Sequence, residues 1–443
     1  MSSLALDGAP PLLTYAEHRR WPIVGGAERA AVMRVLDRGI LSGADALETV
    51  ALEREFATFV GAKYALLTHC GTSALHLALA AAGVRAGDHV IVPAYSFIAT
   101  AHAVVHAGAI PIFVDVHPET GLIDVDLAAA AVTHRTRAIV PVHVHGCPAD
   151  MDRLNALASN RRLLVIEDAA QAHGAEYRGS PVGALGAAGA FSLQSSKNLG
   201  AGEGGLLVTN DLLIAEAAHR LRNFGQDVSY AGLRALDLGR PLDGTRPLDA
   251  ATIGWMYRGN EMTAAFARAQ LEQLPQRTAR CRANAESLTR VLRELPGVIP
   301  ASAPEDVRSV HHKYRVRLDP AKAGVTLAAR ELRDVVASAL RAEGLEVVHW
   351  QTDVMPAQGA YRARAGWGDG WPWSTDRETD FARLYDPARF PHARELLDSS
   401  LVLFSQSCPL IAQDDDTVRR YGEAFVRVWR HLPELERRVK GTR

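Results

Sequence analysis

The chain is predicted to be an α/β protein with a mostly parallel central sheet between layers of helices. Between residues 45 and 222, short apolar runs of strand length alternate with stretches of helical periodicity. Apolar residues make up 48% and charged residues 22% of the 443 residues, which is a globular balance. Parallel strands need crossover connections, so this alternation favours right-handed βαβ units over hairpins.

The elements of this first part follow one another regularly. Because ligands of open α/β sheets lie beyond the carboxyl ends of the strands, the loops after these strands are where chemistry is expected. The predicted strands are 64–68, 89–92, 110–114, 138–144, 163–166, 187–193 and 206–209, and the predicted helices are 45–60, 72–82, 97–106 and 151–159.

The second part of the chain is predicted to contain a long connecting helix and a smaller α+β lobe. The helix covers 261–295 and is expected to break near Pro275. Strands at 313–318 and 346–349 and helices at 327–343 and 416–431 follow it. We therefore expect an N-terminal segment at 1–44, a large domain at 45–260, and a region at 261–443 that combines the connecting helix with the small domain.

Two stretches are expected to be long loops. The first, 225–254, is rich in Gly, Pro and Asp, and loops of that length are usually functional or disordered. The second, 350–391, holds four of the seven tryptophans. Its aromatic side chains either stack on sugar-like rings or pack on the protein itself or on a partner subunit.

The composition argues against several classes of protein. A net charge of −1 is not the basic footprint of a nucleic-acid or membrane-surface protein, and no apolar stretch approaches the length of a membrane helix. The N-terminus lacks the pattern of a signal peptide. Four widely spaced cysteines favour a reducing cytoplasm, and no metal site is predicted, because His143-x-His145-x-Cys147 lacks a carboxylate at ligand spacing.

Lys197 is the most informative of the five lysines. It lies in a glycine-dense turn between two predicted strands, and a lysine amine near an apolar floor can form a Schiff base with an aldehyde. The sequence Gly200-x-Gly202-x-x-Gly205 matches the dinucleotide fingerprint. A nicotinamide dehydrogenase is nevertheless disfavoured, because that fingerprint needs a helix after it and a strand follows here.

Three further motifs with possible binding roles lie at the ends of predicted strands. Asp168 follows a buried strand and can hold a protonated pyridine nitrogen, which keeps the ring an electron sink. Thr72 and Ser73 lie where a helix begins, a natural cup for phosphate, and Phe97 can stack on a planar ring. Each motif alone has an ordinary structural explanation, but with Lys197 they match the requirements of pyridoxal phosphate.

In order along the chain these motifs are Gly-Thr-Ser-Ala-Leu (71–75), Pro-x-x-Ser-Phe (93–97), Glu-Asp-Ala-Ala-Gln (167–171), Phe-Ser-x-Gln-x-x-Lys (191–197) and Gly-Glu-Gly-Gly (202–205). This series resembles the DegT/DnrJ/EryC1/StrS family of fold-type I, pyridoxal-phosphate-dependent aminotransferases of keto-sugars and cyclitols. The resemblance implies a homodimer with shared active sites. It also implies roles for seven residues: Lys197 as the Schiff-base lysine, Asp168 at the pyridine nitrogen, Gln171 near the 3-hydroxyl, Thr72, Ser73 and Ser192 at the phosphate, and Phe97 over the ring.

The chain departs from the family pattern at one position. Met256 stands where the family usually has an Asn that reaches the partner subunit's phosphate, and a thioether cannot donate that hydrogen bond. Arg258 or Asn260 is expected to substitute, or the phosphate is held less firmly. His312 resembles the His of the family's His-x-Tyr strand, which approaches the substrate.

The resemblance implies transfer of an amino group from glutamate or glutamine to a keto-sugar or cyclitol, as in antibiotic or amino-sugar biosynthesis. Gln194, three residues before Lys197, is more typical of the cyclitol and aminobenzoate branch than of the nucleotide-sugar branch. A nucleotide-linked keto-sugar acceptor stays open as the alternative. Related sugar dehydratases carry His where this chain has Lys197, which argues against that activity.

Overall fold

The computed structural model describes residues 3–43, 46–226, 249–404 and 406–441. The strands of these residues are β1 (Tyr64–Thr68), β2 (His89–Pro93), β3 (Ile110–Val114), β4 (Thr136–Ile139), β5 (Leu164–Asp168), β6 (Glu176–Tyr177), β7 (Ser180–Pro181), β8 (Ala188–Ser192), β9 (Gly205–Thr209), β10 (Val298–Pro300), β11 (Val307–Arg308), β12 (Tyr314–Leu318), β13 (Val347–Val348) and β14 (Ser400–Leu403).

The helices of the same residues surround these strands. They are α1 (Gly26–Arg38), α2 (Leu47–Val60), α3 (Gly71–Ala81), α4 (Ala99–His106), α5 (Val125–Ala130), α6 (Met151–Arg161), α7 (Leu212–Leu221), α8 (Glu261–Arg293), α9 (Ala329–Ala342), α10 (Gly359–Ala363), α11 (Phe381–Leu384), α12 (Pro391–Ser399), α13 (Asp415–Arg430) and α14 (Leu432–Gly441). Among the described residues, no helix combines the length and the apolar character needed to cross a membrane.

A seven-stranded sheet in the order β1-β9-β8-β5-β4-β2-β3 confirms the predicted α/β class. The pairs from β8 through β5, β4 and β2 to β3 are parallel, whereas β9 runs antiparallel to both of its neighbours. Every residue of β2, β3, β8 and β9 is buried. Strands covered on both faces read as continuous apolar runs, which is why the sequence predicted them well.

Residues 298–403 form a second, antiparallel sheet in the order β10-β12-β14-β13. The sequence predicted β12 and β13 but missed β10 and β14, which have only three and four residues. Such short runs carry too little periodicity to be told apart from loops. A third sheet, β11-β6-β7, links residues 307–308 to the hairpin 176–181 of the large lobe.

The expected break of the connecting helix at Pro275 is wrong, because α8 runs without interruption from Glu261 to Arg293. An interior proline costs a helix roughly 3 kcal/mol, since it removes a hydrogen bond and crowds the preceding turn. Packing of α8 against α1, α2 and α13 along its length compensates for that cost. No helix was predicted in the N-terminal segment 1–44. It contains α1, which packs against α8.

The strand predicted at 138–144 is shorter than expected, because β4 ends at Ile139. Pro141 follows and has no N–H to continue the ladder. The chain then makes isolated contacts, including a bridge between Val142 and Asp168, before a 3₁₀ turn at Val144–Gly146.

The aromatic segment 350–391 is more ordered than a plain loop, since it contains α10, α11 and three 3₁₀ turns. Trp373, Tyr361 and Tyr385 are buried, and the Trp350 ring contacts Tyr95 with 4.7 Å between ring centroids. The aromatic side chains of this segment therefore pack largely on the protein itself. Of the other long loop, 225–254, residues 227–248 lie outside the described part.

Candidate active site

The predicted site residues converge at the carboxyl edge of the large sheet. Asp168 is the last residue of β5 and Ser192 is the last residue of β8. The N-terminus of α3 follows β1, and Phe97 follows β2. These are the loops beyond parallel strands where ligands of α/β sheets bind.

Lys197 lies in a tight loop between β8 and β9. The Ser195 amide donates to the Gly202 carbonyl at 2.8 Å across the loop, and Gly202 and Gly204 have φ angles of +88° and +152°. Only glycine adopts such angles readily, so the glycine-dense motif is needed to fold the loop. Burial lowers the pKa of the Lys197 amine to about 8, against the opposing attraction of the Asp168 carboxylate. With this pKa, roughly a tenth of the amine is neutral at pH 7.

A tryptophan far away in sequence fixes the same loop. Trp21 Nε1 donates to the Lys197 carbonyl at 2.8 Å, and the Trp21 ring lies 5.3 Å from the Arg277 guanidinium. The next residue, Asn198, donates from Nδ2 to the Val310 carbonyl at 3.0 Å, which docks the loop onto the segment before β12. The sequence did not predict the roles of Trp21 and Asn198, because no local pattern indicates contacts between residues 176 and 112 positions apart.

Asp168 is buried and held by hydrogen bonds. Its Oδ2 accepts from the Thr100 hydroxyl at 2.7 Å, its Oδ1 accepts from the Ala170 amide at 3.2 Å, and Ser96 Oγ lies 2.9 Å from Thr100 Oγ1. Burial raises the pKa of Asp168, while the bond from Thr100 works against that rise. A protonated ring nitrogen placed beside the carboxylate would favour its ionised form. Thr100 was not predicted, since its contact spans 68 residues.

The predicted phosphate cup is built by the start of α3 and the end of β8. The first intrahelical bond runs from the Ala74 amide to the Cys70 carbonyl, so the amides of Gly71 and Thr72 precede it. A Cβ at Gly71 would lie 2.6 Å from the Cβ of Ser192, which shows how closely the two elements approach. Thr72 and Ser192 therefore lie together at a helix N-terminus, where anions bind.

Ser73 behaves differently from its neighbour Thr72. Its hydroxyl donates to the Cys70 carbonyl at 2.8 Å, and its amide donates to Cys70 Sγ at 3.3 Å. The side chain is 4% exposed. Ser73 thus shapes the helix N-terminus from inside, and its predicted contact with phosphate stays a prediction.

Gln171 and His312 are buried polar side chains beside this site. Gln171 is 5% exposed and its Oε1 has no hydrogen-bond partner among the described residues; the same holds for Nδ1 of His312, which is 3% exposed. Burial and the charges of Lys197 and Lys313 hold the pKa of His312 well below its usual range. Buried polar atoms without partners are costly, so both atoms are suited to a polar ligand.

Three predicted residues lie at the margin of the site. The Phe97 side chain is 56% exposed. The Asn260 side chain caps α8 by accepting from the Thr263 amide at 2.9 Å, and Arg258 forms a backbone bridge with Thr68. Met256 is 50% exposed, beside a backbone bridge to Asn223. The expected roles of these residues stay predictions.

Glu167, the neighbour of Asp168, has a structural role. Its carboxylate accepts from the amides of Gly183, Leu185 and Gly186 at 2.6–2.7 Å, and His143 Nε2 lies 3.0 Å from it. Among the described residues, no group of three or more His, Cys, Asp or Glu side chains could hold a metal ion. The contact with Glu167 gives His143 a structural role at this edge of the sheet.

The family model for the DegT/DnrJ/EryC1/StrS aminotransferase family matches residues 22–369. The chain belongs to this family. This aminotransferase is 33% identical to the protein MosB of Rhizobium meliloti over 98% of its own length and 82% of that protein. It is 40% identical to the L-glutamine:scyllo-inosose aminotransferase of Streptomyces griseus, over 72% and 74% of the two chains. The crystal structure of 3-amino-5-hydroxybenzoic acid synthase matches 94% of this chain and 100% of that one, with a TM-score of 0.77 and 30% identity.

The aminotransferase uses pyridoxal phosphate, and the residues on its sheet edge fit that cofactor. Lys197 offers an amine for the aldehyde and Asp168 a carboxylate for the ring nitrogen. The α3 N-terminus with Thr72 and Ser192 offers donors for the phosphate. The Gln171 oxygen without a partner can accept from a polar substituent of the ring.

Proposed function

We propose that this aminotransferase moves the amino group of glutamine or glutamate to the ketone of a cyclitol or an unactivated keto-sugar. The observation that carries the transfer chemistry is the Lys197 amine, with its lowered pKa, on the same sheet edge as the buried Asp168 carboxylate. The choice of acceptor is supported by Gln194 and by relatives named as L-glutamine:scyllo-inosose and L-glutamine:2-deoxy-scyllo-inosose aminotransferases.

In this proposal Lys197 has two tasks. Its neutral amine would hold the cofactor through the aldehyde, and the same amine would take up and release the proton of the substrate carbon. Its pKa of about 8 suits both tasks, because the amine can accept and release a proton near neutral pH. When bound, pyridoxal phosphate supplies the aldehyde that takes the amino group and a ring that withdraws electrons.

Asp168 has the complementary task of holding a proton on the ring nitrogen. Thr100 and the Ala170 amide orient its carboxylate from one side. Because Asp168 is buried, a charge-assisted bond from its carboxylate to the ring nitrogen would be stronger than in solvent. Thr72, Ser192 and the α3 N-terminus would hold the phosphate of the cofactor.

We also propose a homodimer in which each subunit completes the other's site through the region of Arg258 and Asn260. The exposed Met256 and Phe97 side chains support it, since both are apolar and lie at the margin of the site. A cytoplasmic location is supported by the four cysteines, none of which forms a disulfide.

Mixing two inactive variants tests the shared site. Heterodimers of Lys197→Ala and Arg258→Ala should contain one site with both defects and one intact site. The mixture should therefore recover up to about half of the wild-type activity per heterodimer under conditions of subunit exchange. A dimer by sedimentation that recovers no activity on mixing would contradict the shared site.

A nucleotide-linked keto-sugar is the second candidate acceptor. It is favoured by a 38% identical relative named dTDP-3-amino-3,4,6-trideoxy-alpha-D-glucose transaminase of Streptomyces venezuelae, matched over 72% of this chain. Both candidates use the same donor chemistry, so only the acceptor distinguishes them.

A panel of ketones tests the acceptor. The holoenzyme is first converted by L-glutamine, and scyllo-inosose, 2-deoxy-scyllo-inosose and a dTDP-linked keto-sugar are then added separately. We expect the yellow absorbance of the holoenzyme to return fastest with an inosose. Faster return with the dTDP-sugar would favour the second candidate, and no return with any ketone would contradict the proposal.

A further inference from the structure

Two buried cations lie two positions apart in the sequence where β12 begins. Lys313 directly precedes the strand, Arg315 is its second residue, and both line the same small cavity. Each residue is 6% exposed. Lys313 Nζ and Arg315 Nη1 have no hydrogen-bond partner among the described residues.

Neither cation is neutralised by the described part of the chain. Arg315 Nη2 donates to the Glu119 backbone carbonyl, which is uncharged, and no described carboxylate pairs with either side chain. Burial, with the like charge of Lys197 acting in the same direction, lowers the pKa of Lys313 to about 8. Buried charges in proteins are normally paired, so two unpaired cations that line one cavity call for an anion from outside the chain.

A small cavity of about 30 Å³ joins these two cations. Lys313 and Arg315 line it together with His145, Cys147 and Thr120. Its volume suits one water-sized or carboxylate-sized group. The His145 ring is acted on by the charges of Arg315, Lys313 and Lys197, and its Nε2 lies 2.9 Å from the Tyr95 hydroxyl. The charge of Lys197 therefore acts on two residues that line the cavity, His145 and Lys313.

We propose that Lys313 and Arg315 form the subsite that binds a carboxylate of the amino-acid donor. This inference rests on the proposed function. A cyclitol ketone carries no charge that could neutralise the pair, and the cofactor phosphate is already served by the α3 N-terminus and Ser192. The donor brings a carboxylate to Lys197 in every catalytic cycle. A charge-assisted pair with Lys and Arg heads is the strong form of such recognition.

The test compares the two half-reactions in three variants of the holoenzyme. Lys313→Met removes one charge, Lys313→Arg keeps it, and Lys322→Met is a charge-matched control at a lysine whose side chain is 70% exposed. The yellow absorbance is titrated with L-glutamine for the donor half and recovered with the ketone for the acceptor half. Glutarate, which has carboxylates but no amine, is titrated in parallel by calorimetry.

We expect Lys313→Met to weaken binding of both glutamine and glutarate roughly ten- to hundredfold, the effect of losing one charge-assisted bond. Its acceptor half-reaction should stay within about twofold of wild type. Lys313→Arg should lose no more than about threefold, and Lys322→Met should match wild type.

Three results would overturn the inference. The first is an unchanged affinity of Lys313→Met for glutamine and glutarate. The second is an equal loss in both half-reactions, which would mark a structural role. The third is a loss confined to the acceptor half-reaction, which would assign the anion to the acceptor. The proposed function fails separately, if the wild-type holoenzyme does not react with glutamine or glutamate at all. Retention of cofactor and of the circular dichroism spectrum shows that each variant is folded.

Discussion

Lys197 and Lys313 are both buried amines whose pKa is lowered to about 8, yet their surroundings differ. Lys197 is countered by the Asp168 carboxylate, whereas the charge acting on Lys313 is that of Lys197 itself. The first arrangement suits an amine that gains and loses protons. The second is an electrostatic cost that a structure keeps only where a ligand neutralises it.

Replacing Lys313 by Met should stabilise the cofactor-free protein. A pKa lowered from 10.5 to about 8 means that the folded state holds the Lys313 proton less tightly than the unfolded state. The cost is about 3 kcal/mol, is complete below pH 8, and disappears as the pH rises towards 10.5. In denaturant unfolding, the free energy of unfolding of Lys313→Met should therefore exceed that of wild type at pH 7. The two values should be equal near pH 10.5. A variant less stable than wild type at pH 7 would contradict the unpaired charge.

Thr100→Val should impair catalysis through Asp168. The Thr100 hydroxyl lowers the pKa of that carboxyl, so its removal raises the pKa and leaves a buried acceptor without its donor. We expect kcat/KM to fall about tenfold and the acid limb of its pH profile to move to higher pH. Thr100→Ser keeps the hydroxyl and should restore both. An unmoved acid limb in Thr100→Val would show that the hydroxyl does not act on Asp168.

At the scale of elements, the buried strands and the site loops could be predicted from the sequence. The predictions of β1 and β3 are confirmed to the residue, because continuous apolar runs end at clear turns. The strands β10 and β14 and the helix α14 were missed. Their runs are short or follow another helix closely, so tertiary pairing rather than local pattern defines them.

A substitution at Pro275 tests how much this proline costs the continuous helix α8. The exposed proline interrupts the hydrogen bonding of a helix that is otherwise continuous and held by its neighbours. Pro275→Ala restores an N–H to the interior, so the free energy of unfolding should rise by about 1–3 kcal/mol. Glu272→Ala, one turn earlier on the same helix, is the matched control and should change it by less than about 0.5 kcal/mol. A destabilised Pro275→Ala protein would mean that packing has adapted to the proline.

At the scale of the whole molecule, the active site joins residues that no local pattern connects. Motifs predicted Lys197, Asp168 and the start of α3 as site residues, because their residue types suit the chemistry. The supporting contacts of Trp21, Thr100 and Asn198 span 176, 68 and 112 residues. Contacts of this kind follow from the folded topology, which is why sequence reasoning missed them.

Trp21→Phe tests how the N-terminal part of the chain supports the site. The substitution keeps a ring facing Arg277 but removes the N–H that donates to the Lys197 carbonyl. We expect the Lys197 loop to loosen and the cofactor to dissociate several-fold faster, since one buried hydrogen bond contributes about 1 kcal/mol. The measurement is loss of yellow absorbance after dilution into a trapping protein. An unchanged rate would show that the loop holds its shape without Trp21.

The central claim is that Lys197 binds pyridoxal phosphate covalently, and borohydride reduction followed by peptide mass spectrometry tests it most directly. The purified holoenzyme should be yellow, and reduction should remove the yellow band and fix the mass of the cofactor on the peptide that contains Lys197. Lys197→Ala should carry no such mass, although it still has Lys313 nearby. A colourless wild-type protein that takes up no cofactor, or a label found on Lys313 instead, would contradict the account.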